Sequence, residues 1–140
     1  MNESTAAVST DVDELRSVLA FKFPVESVKW EMFSTPESSG VGGATDFVSI
    51  VAEFSSSRAL AEYASTSQGG KVFVVPGAQR GWLSKQSADL LGKIRNSAID
   101  VAEWPSCRRI EVSGAKSGRP LKAFVCNHGS ISLLYLNVLP

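Results

Sequence analysis

Apolar and polar positions alternate along much of this chain. In residues 25–34, VESVKWEMFS, Val28, Trp30 and Met32 fall on one face and Lys29 and Glu31 on the other. Residues 45–54, TDFVSIVAEF, repeat the pattern, with Val48, Ile50, Ala52 and Phe54 together. A period of two is that of a half-buried strand. The Gly- and Ser-rich stretch TPESSGVGGA is a long connection between the runs, so an antiparallel pair is expected. Lys71 to Val75 is a short β-branched run halted by Pro76-Gly77. Residues 130–138, SISLLYLNV, are apolar on both faces, with Ile131, Leu133 and Tyr135 on one and Leu134, Leu136 and Val138 on the other. Such a strand lies centrally in a sheet or is covered on both sides.

Three segments carry helical spacing. Thr10 followed by Asp13 resembles a capping box, and Val12, Leu15, Val18 and Leu19 then share a face. This helix is expected to end near Phe23-Pro24, because a residue before proline avoids the helical region. A second, short helix starts at Ser56 or Ser57, carries Leu60, Tyr63 and Ala64, and breaks at Gln68-Gly69-Gly70. The third follows Ser84, an N-cap flanked by a Leu83–Ala88 staple. Ala88, Leu91 and Ile94 form its buried stripe, and Lys93 and Arg95 suit its last turn.

Residues 107–126, CRRIEVSGAKSGRPLKAFVC, form two β-like runs around the turn segment Gly114 to Arg119. A hairpin centred on the Lys116–Ser117 bond sets Val112 opposite Leu121 and Ile110 opposite Ala123. Glu111 then faces Lys122, and Cys107 faces Cys126. An apolar face, an opposite-charge pair and a cysteine pair thus select the same register. Directly opposed residues at a non-hydrogen-bonded site have Cα atoms about 4.5 Å apart, within disulfide range. A Cys107–Cys126 disulfide is therefore expected.

The resulting order is α-β-β-α-β-α-β-β-β. It indicates an α+β fold, with a mainly antiparallel sheet of about six strands and two to three helices packed on one face. A polar tail, residues 1–9, precedes a single domain over residues 10–140, a length that buries a core without obligatory staples.

Composition changes this picture little. The chain is 44% apolar and 20% charged, which excludes a mostly disordered protein. No apolar run approaches the roughly 20 residues that span a bilayer. MNESTAAVST has neither a basic nor an apolar leader region. A disulfide, however, belongs outside the reducing cytosol. The expectation is a periplasmic or otherwise exported protein whose leader has been removed, with a cytoplasmic protein bearing reduced cysteines as the alternative. Charge is unevenly placed: residues 1–62 carry ten acids and four bases, residues 63–140 four acids and ten bases. The bases are spread over the second half, as expected of two mutually attracting layers.

Candidate chemistry is sparse. His128 lies two residues from Cys126, and a Cys–His nucleophile pair requires a free thiol, which a disulfide removes. Two cysteines and one histidine match no zinc spacing. Asp46, Glu53, Asp100 and Glu103 adjoin apolar residues, but nothing in the sequence pairs them. GAKSGR lacks the Walker spacing and joins two strands. No cofactor fingerprint is present. Arg108, Arg109, Lys116, Arg119 and Lys122 form a basic hairpin, and Phe124 is expected on its outer face with Arg109, Glu111 and Lys122, as in a nucleic-acid platform. Trp82, before a helix cap, is expected to be partly exposed, and exposed aromatics anchor partners.

The favoured expectation is a small non-catalytic protein-binding domain, such as an inhibitor or immunity-type neutraliser in the bacterial cell envelope. Its partner would touch Trp82, Arg109, Lys116, Arg119 and Phe124. The alternatives are a nucleic-acid binder using the basic hairpin and a small hydrolase using Cys126 with His128.

Overall fold

The computed structural model describes residues 8–21, 27–35, 47–55, 71–104, 106–110, 112–128 and 131–139. A five-stranded antiparallel sheet forms its centre. It contains β2 (Ser27–Thr35), β3 (Phe47–Ser55), β6 (Cys107–Arg109), β9 (Ala123–His128) and β10 (Ile131–Leu139). Their spatial order is β2-β3-β10-β9-β6. The doubly apolar strand is thus the middle one. The expected β2–β3 pair is antiparallel, with Trp30 opposite Ala52.

Each face of this sheet carries its own core. On the first, Val28, Trp30, Ile50, Ala52, Phe54, Leu134 and Leu136 pack with Ala123, Val125 and Ile110. Their cover is helix α1 (Val12–Arg16) and a small sheet of β1 (Leu19–Ala20), β7 (Val112–Gly114) and β8 (Pro120–Leu121). On the second face, Val51, Leu133, Tyr135, Phe124, Cys107 and Cys126 pack beneath helix α2 (Lys85–Ile94). The two-stranded sheet of β4 (Lys71–Val74) and β5 (Ser97–Asp100) completes that cover. Helices therefore lie on both faces, not one. Among the described residues ten strands replace the expected six, because the hairpin runs each split and two short strands join them. The fold remains dominated by antiparallel sheet with few helices.

Three local differences have physical causes. Helix α1 is only five residues long, and its N-cap is Asp11 rather than Thr10; the Asp11 side chain accepts from the Glu14 N–H at 3.1 Å. Beyond Ser17 the chain is pulled into strand pairing, with Leu19 opposite Gly114, so Leu19 and Phe21 reach the core from alternate extended positions. Asn96, at φ 62°, ends the second helix in the left-handed region that asparagine tolerates, and the chain reverses at once into β5. Ser9, assigned to the tail by sequence, exchanges two backbone hydrogen bonds with Trp30 on the β2 edge. The expected helix from Ser56 or Ser57 to its break at Gln68, the expected connection beyond Thr35, Asp46, Glu111 and the remaining tail lie outside the described residues.

The hairpin register is the expected one. Cys107 pairs with Cys126, Arg109 with Phe124 and Val112 with Leu121. The cysteines are joined in a disulfide, their Cα atoms 4.0 Å apart. Among the described residues no helix is long and apolar enough to cross a membrane.

Candidate binding site

The second face combines apolar packing with buried polar groups, and these position the site. Glu31 projects from β2 on the side opposite Trp30 and is only 5% exposed. Arg80 donates to both of its oxygens, Nε at 2.9 Å and Nη2 at 2.7 Å. Trp82 Nε1 adds a third bond at 2.8 Å. The Arg80 guanidinium also stacks over the Phe33 ring, 4.3 Å from its centroid, and Nη1 donates to the Gly77 carbonyl at 3.1 Å. A buried carboxylate is costly unless it is paired and hydrogen-bonded. Here both requirements are met, and the result is a clamp that ties the 76–84 segment to the sheet and fixes the Trp82 ring.

Glu53 makes a second link, two strand positions along on β3. It accepts from the Ser84 backbone N–H at 3.2 and 3.3 Å and from the Ser84 hydroxyl at 2.5 Å. Ser84 is the N-cap residue of α2, yet its side chain makes no capping bond to its own helix. Glu53 supplies the negative charge from across the layer, where the helix dipole favours it. A third group lies deeper. Tyr135 donates to Asn137 Oδ1 at 2.8 Å and accepts from the Val75 N–H at 3.1 Å. Ser49 also donates to Asn137 Oδ1, at 2.7 Å, and Asn137 Nδ2 donates to the Phe73 carbonyl at 2.8 Å. This network ties β4 to the central sheet. Burial raises the Tyr135 pKa above the ordinary tyrosine value, outweighing the opposing effects of its hydrogen bonds with Ser49 and Val75.

At the end of the sheet where β2, β3 and β10 meet, a cleft of about 480 Å³ opens. Val12, Val28, Phe54 and Ile131 line its apolar floor. Trp82, Glu53, Ser84 and Lys29 form the polar wall, joined by the hydroxyl residues Thr10, Ser27 and Ser55. Its size and its mixture of apolar floor and few polar groups are those of a ligand site.

The residues singled out from sequence do not gather on one surface. Trp82 is half-buried, as expected, and stands on the wall of this cleft. Lys116 and Arg119 are exposed at the hairpin tip, in the small sheet covering the first core. Their surface is on the other side of the central sheet from Trp82. Phe124 requires a correction: it is fully buried, packed against Tyr135 with ring centroids 5.6 Å apart. The face assigned to solvent is in fact covered by α2 and the β4–β5 pair, and half-buried Arg109 belongs to that face too. The aromatic needed for base stacking is therefore inside the core. The Cys126 sulfur is bonded to Cys107 and buried, so it offers no thiol to His128. Among the described residues no three His, Cys, Asp or Glu side chains cluster as metal ligands would.

Sequence reasoning named Glu53 without finding its partner, and it missed Glu31 and Arg80. The available signal was an acid flanked by the apolar residues Trp30 and Met32 of the β2 pattern, facing a layer that also had to be covered; of the two, Trp30 is buried and Met32 is exposed. No family model matches this chain. No curated protein and no solved structure matches it either.

Proposed function

We propose that this protein is a non-catalytic binding domain that engages another protein through the Trp82 cleft, outside the reducing cytosol. One observation carries the reading: Trp82 is held at the wall of the cleft by a buried carboxylate that accepts three hydrogen bonds. A large aromatic fixed before binding loses little entropy on association, and tryptophan is the residue type most enriched at binding hot spots. Among the described residues every hydrogen bond that Glu31 accepts comes from Arg80 or Trp82, so both of its oxygens are committed to the clamp. The disulfide supports an exported location, since such bonds persist in the periplasm or outside the cell. An inhibitor or immunity-type neutraliser fits this description, its partner being the protein that fills the cleft.

The test is co-isolation from the source cell with the wild-type chain and with Trp82→Ala. A stoichiometric partner that is lost with Trp82→Ala, while the variant remains folded by circular dichroism, supports the reading. Absence of a partner together with turnover in a hydrolase screen overturns it.

A further inference from the structure

The two acids of the second face differ in how much acceptor capacity they have left. Glu31 receives three short bonds from charged or indole donors and is 5% exposed. Among the described residues Glu53 receives bonds only from Ser84, and its Oε1 takes part in a single long, shared one at 3.2 Å. An ionised carboxylate offers about four lone-pair sites. Glu53 therefore presents acceptor capacity to the cleft it lines, beside the Trp82 ring. The Ser84 hydroxyl gives its hydrogen to Glu53, and its oxygen has the Ser87 hydroxyl at 3.3 Å, so the carboxylate is the acceptor left for a ligand.

We infer that the cleft takes a basic side chain of the partner protein, a lysine or arginine. Its aliphatic stem lies along Val28, Phe54 and Ile131. Its charged head meets the Glu53 carboxylate and the face of Trp82. Long basic side chains bury their stems on apolar surface in this way. A cation over an indole face contributes roughly 0.5 to 2 kcal/mol, more as water is excluded. The inference rests on reading the cleft as the binding surface. Two positive features oppose it, the N-terminus of α2 and the Lys29 ammonium. The first is already answered by Ser84 and Glu53. Lys29 is exposed on a flexible stem at the rim and is opposite Glu53 in the strand register. An anionic ligand is disfavoured because Glu53 itself holds the helix terminus.

The experiment is a methyl-detected NMR titration of the full chain. The probes are N-acetyl-lysine methylamide and N-acetyl-arginine methylamide, with N-acetyl-norleucine methylamide as an uncharged counterpart of the lysine probe. The expected result is saturable shifts of the Val12, Val28 and Ile131 methyls with the basic amides and far weaker ones with norleucine. Glu53→Gln, which keeps an acceptor for Ser84, should weaken binding by roughly fivefold or more, as for loss of a charge-assisted contact. Lys29→Glu should strengthen it, which keeps the test decisive if Glu53→Gln loosens α2. Equal binding of norleucine with no effect of either variant overturns the basic-ligand assignment while leaving the cleft as a site for an apolar group. If no probe moves these methyls, the cleft reading itself fails and takes this inference with it.

Discussion

The two faces of the central sheet are built differently. The first is closed mainly by apolar side chains, from Val28 and Trp30 across Ile50 and Phe54 to Leu134 and Leu136, with the buried Ser132 bonded to Asn127 within the sheet. The second has an apolar centre too, but carries Glu31, Tyr135 and Asn137 hydrogen-bonded to the layer above, with Ser49 bonded to Asn137 beside them. Apolar packing is tolerant of which partner it meets. Hydrogen-bonded polar groups are not, because an unmatched one costs the desolvation it has already paid. The first face therefore mainly stabilises, whereas the second fixes where the 76–84 segment and its tryptophan stand.

The largest expected effects are in the two apolar centres and should not distinguish the faces. Leu134→Ala in the first core and Phe124→Ala in the second should each cost about 3 to 5 kcal/mol in urea unfolding, through lost transfer energy plus a cavity. A near-neutral Phe124→Ala would mean that its face is open to solvent. Next comes the disulfide. Reduction should lower stability by about 3 kcal/mol or less, because the loop it closes is short and both cores remain. Unfolding with and without reductant measures it.

The clamp is where the faces should part. Glu31→Ala strands the Arg80 and Trp82 donors and should cost about 2 kcal/mol. It should also change Trp82 fluorescence, which a purely apolar deletion such as Ile50→Val should leave alone. Tyr135 gives a smaller, pH-dependent signature. Its neutral form is favoured in the fold, so its contribution is complete below the unfolded tyrosine pKa of about 10 and is lost as pH rises through the higher folded value. Tyr135→Phe should remove about 1 kcal/mol at neutral pH and flatten the alkaline loss of stability. Ultraviolet titration of phenolate formation checks the direction. The smallest effect belongs to the hairpin tip, where Lys116→Ala with Arg119→Ala should stay within about 0.5 kcal/mol of wild type.

The same contrast explains what could be read from the sequence. Period-two alternation marked β2 and β3, an apolar run on both faces marked the middle strand β10, and the apolar face, charge pair and cysteine pair together marked the hairpin register, because each is a local pattern reporting one local constraint. The face of Phe124 was misjudged because its neighbours Arg109 and Lys122 are basic, and only the tertiary cover of α2 and β4–β5 decides that an aromatic among bases is buried. The length of α1 was overestimated because Leu19 serves a helical stripe and a strand equally well, until Gly114 pairs with it. Glu31 and Arg80 are 49 positions apart, and no periodicity links them. Trp82 was legible as a candidate anchor from its place before a helix cap, but the cleft beside it was not. That cleft needs the ends of three strands and the start of α2 to meet.

Site-specific photo-crosslinking in the source cell tests the central claim most directly, with a benzophenone side chain placed at Lys29 on the cleft rim or at Lys116 on the hairpin tip. The account predicts one dominant adduct with another protein from position 29, lost when Trp82→Ala is combined with it, and none from position 116. A dominant adduct from position 116 alone would contradict it and move the binding surface to the opposite side of the sheet.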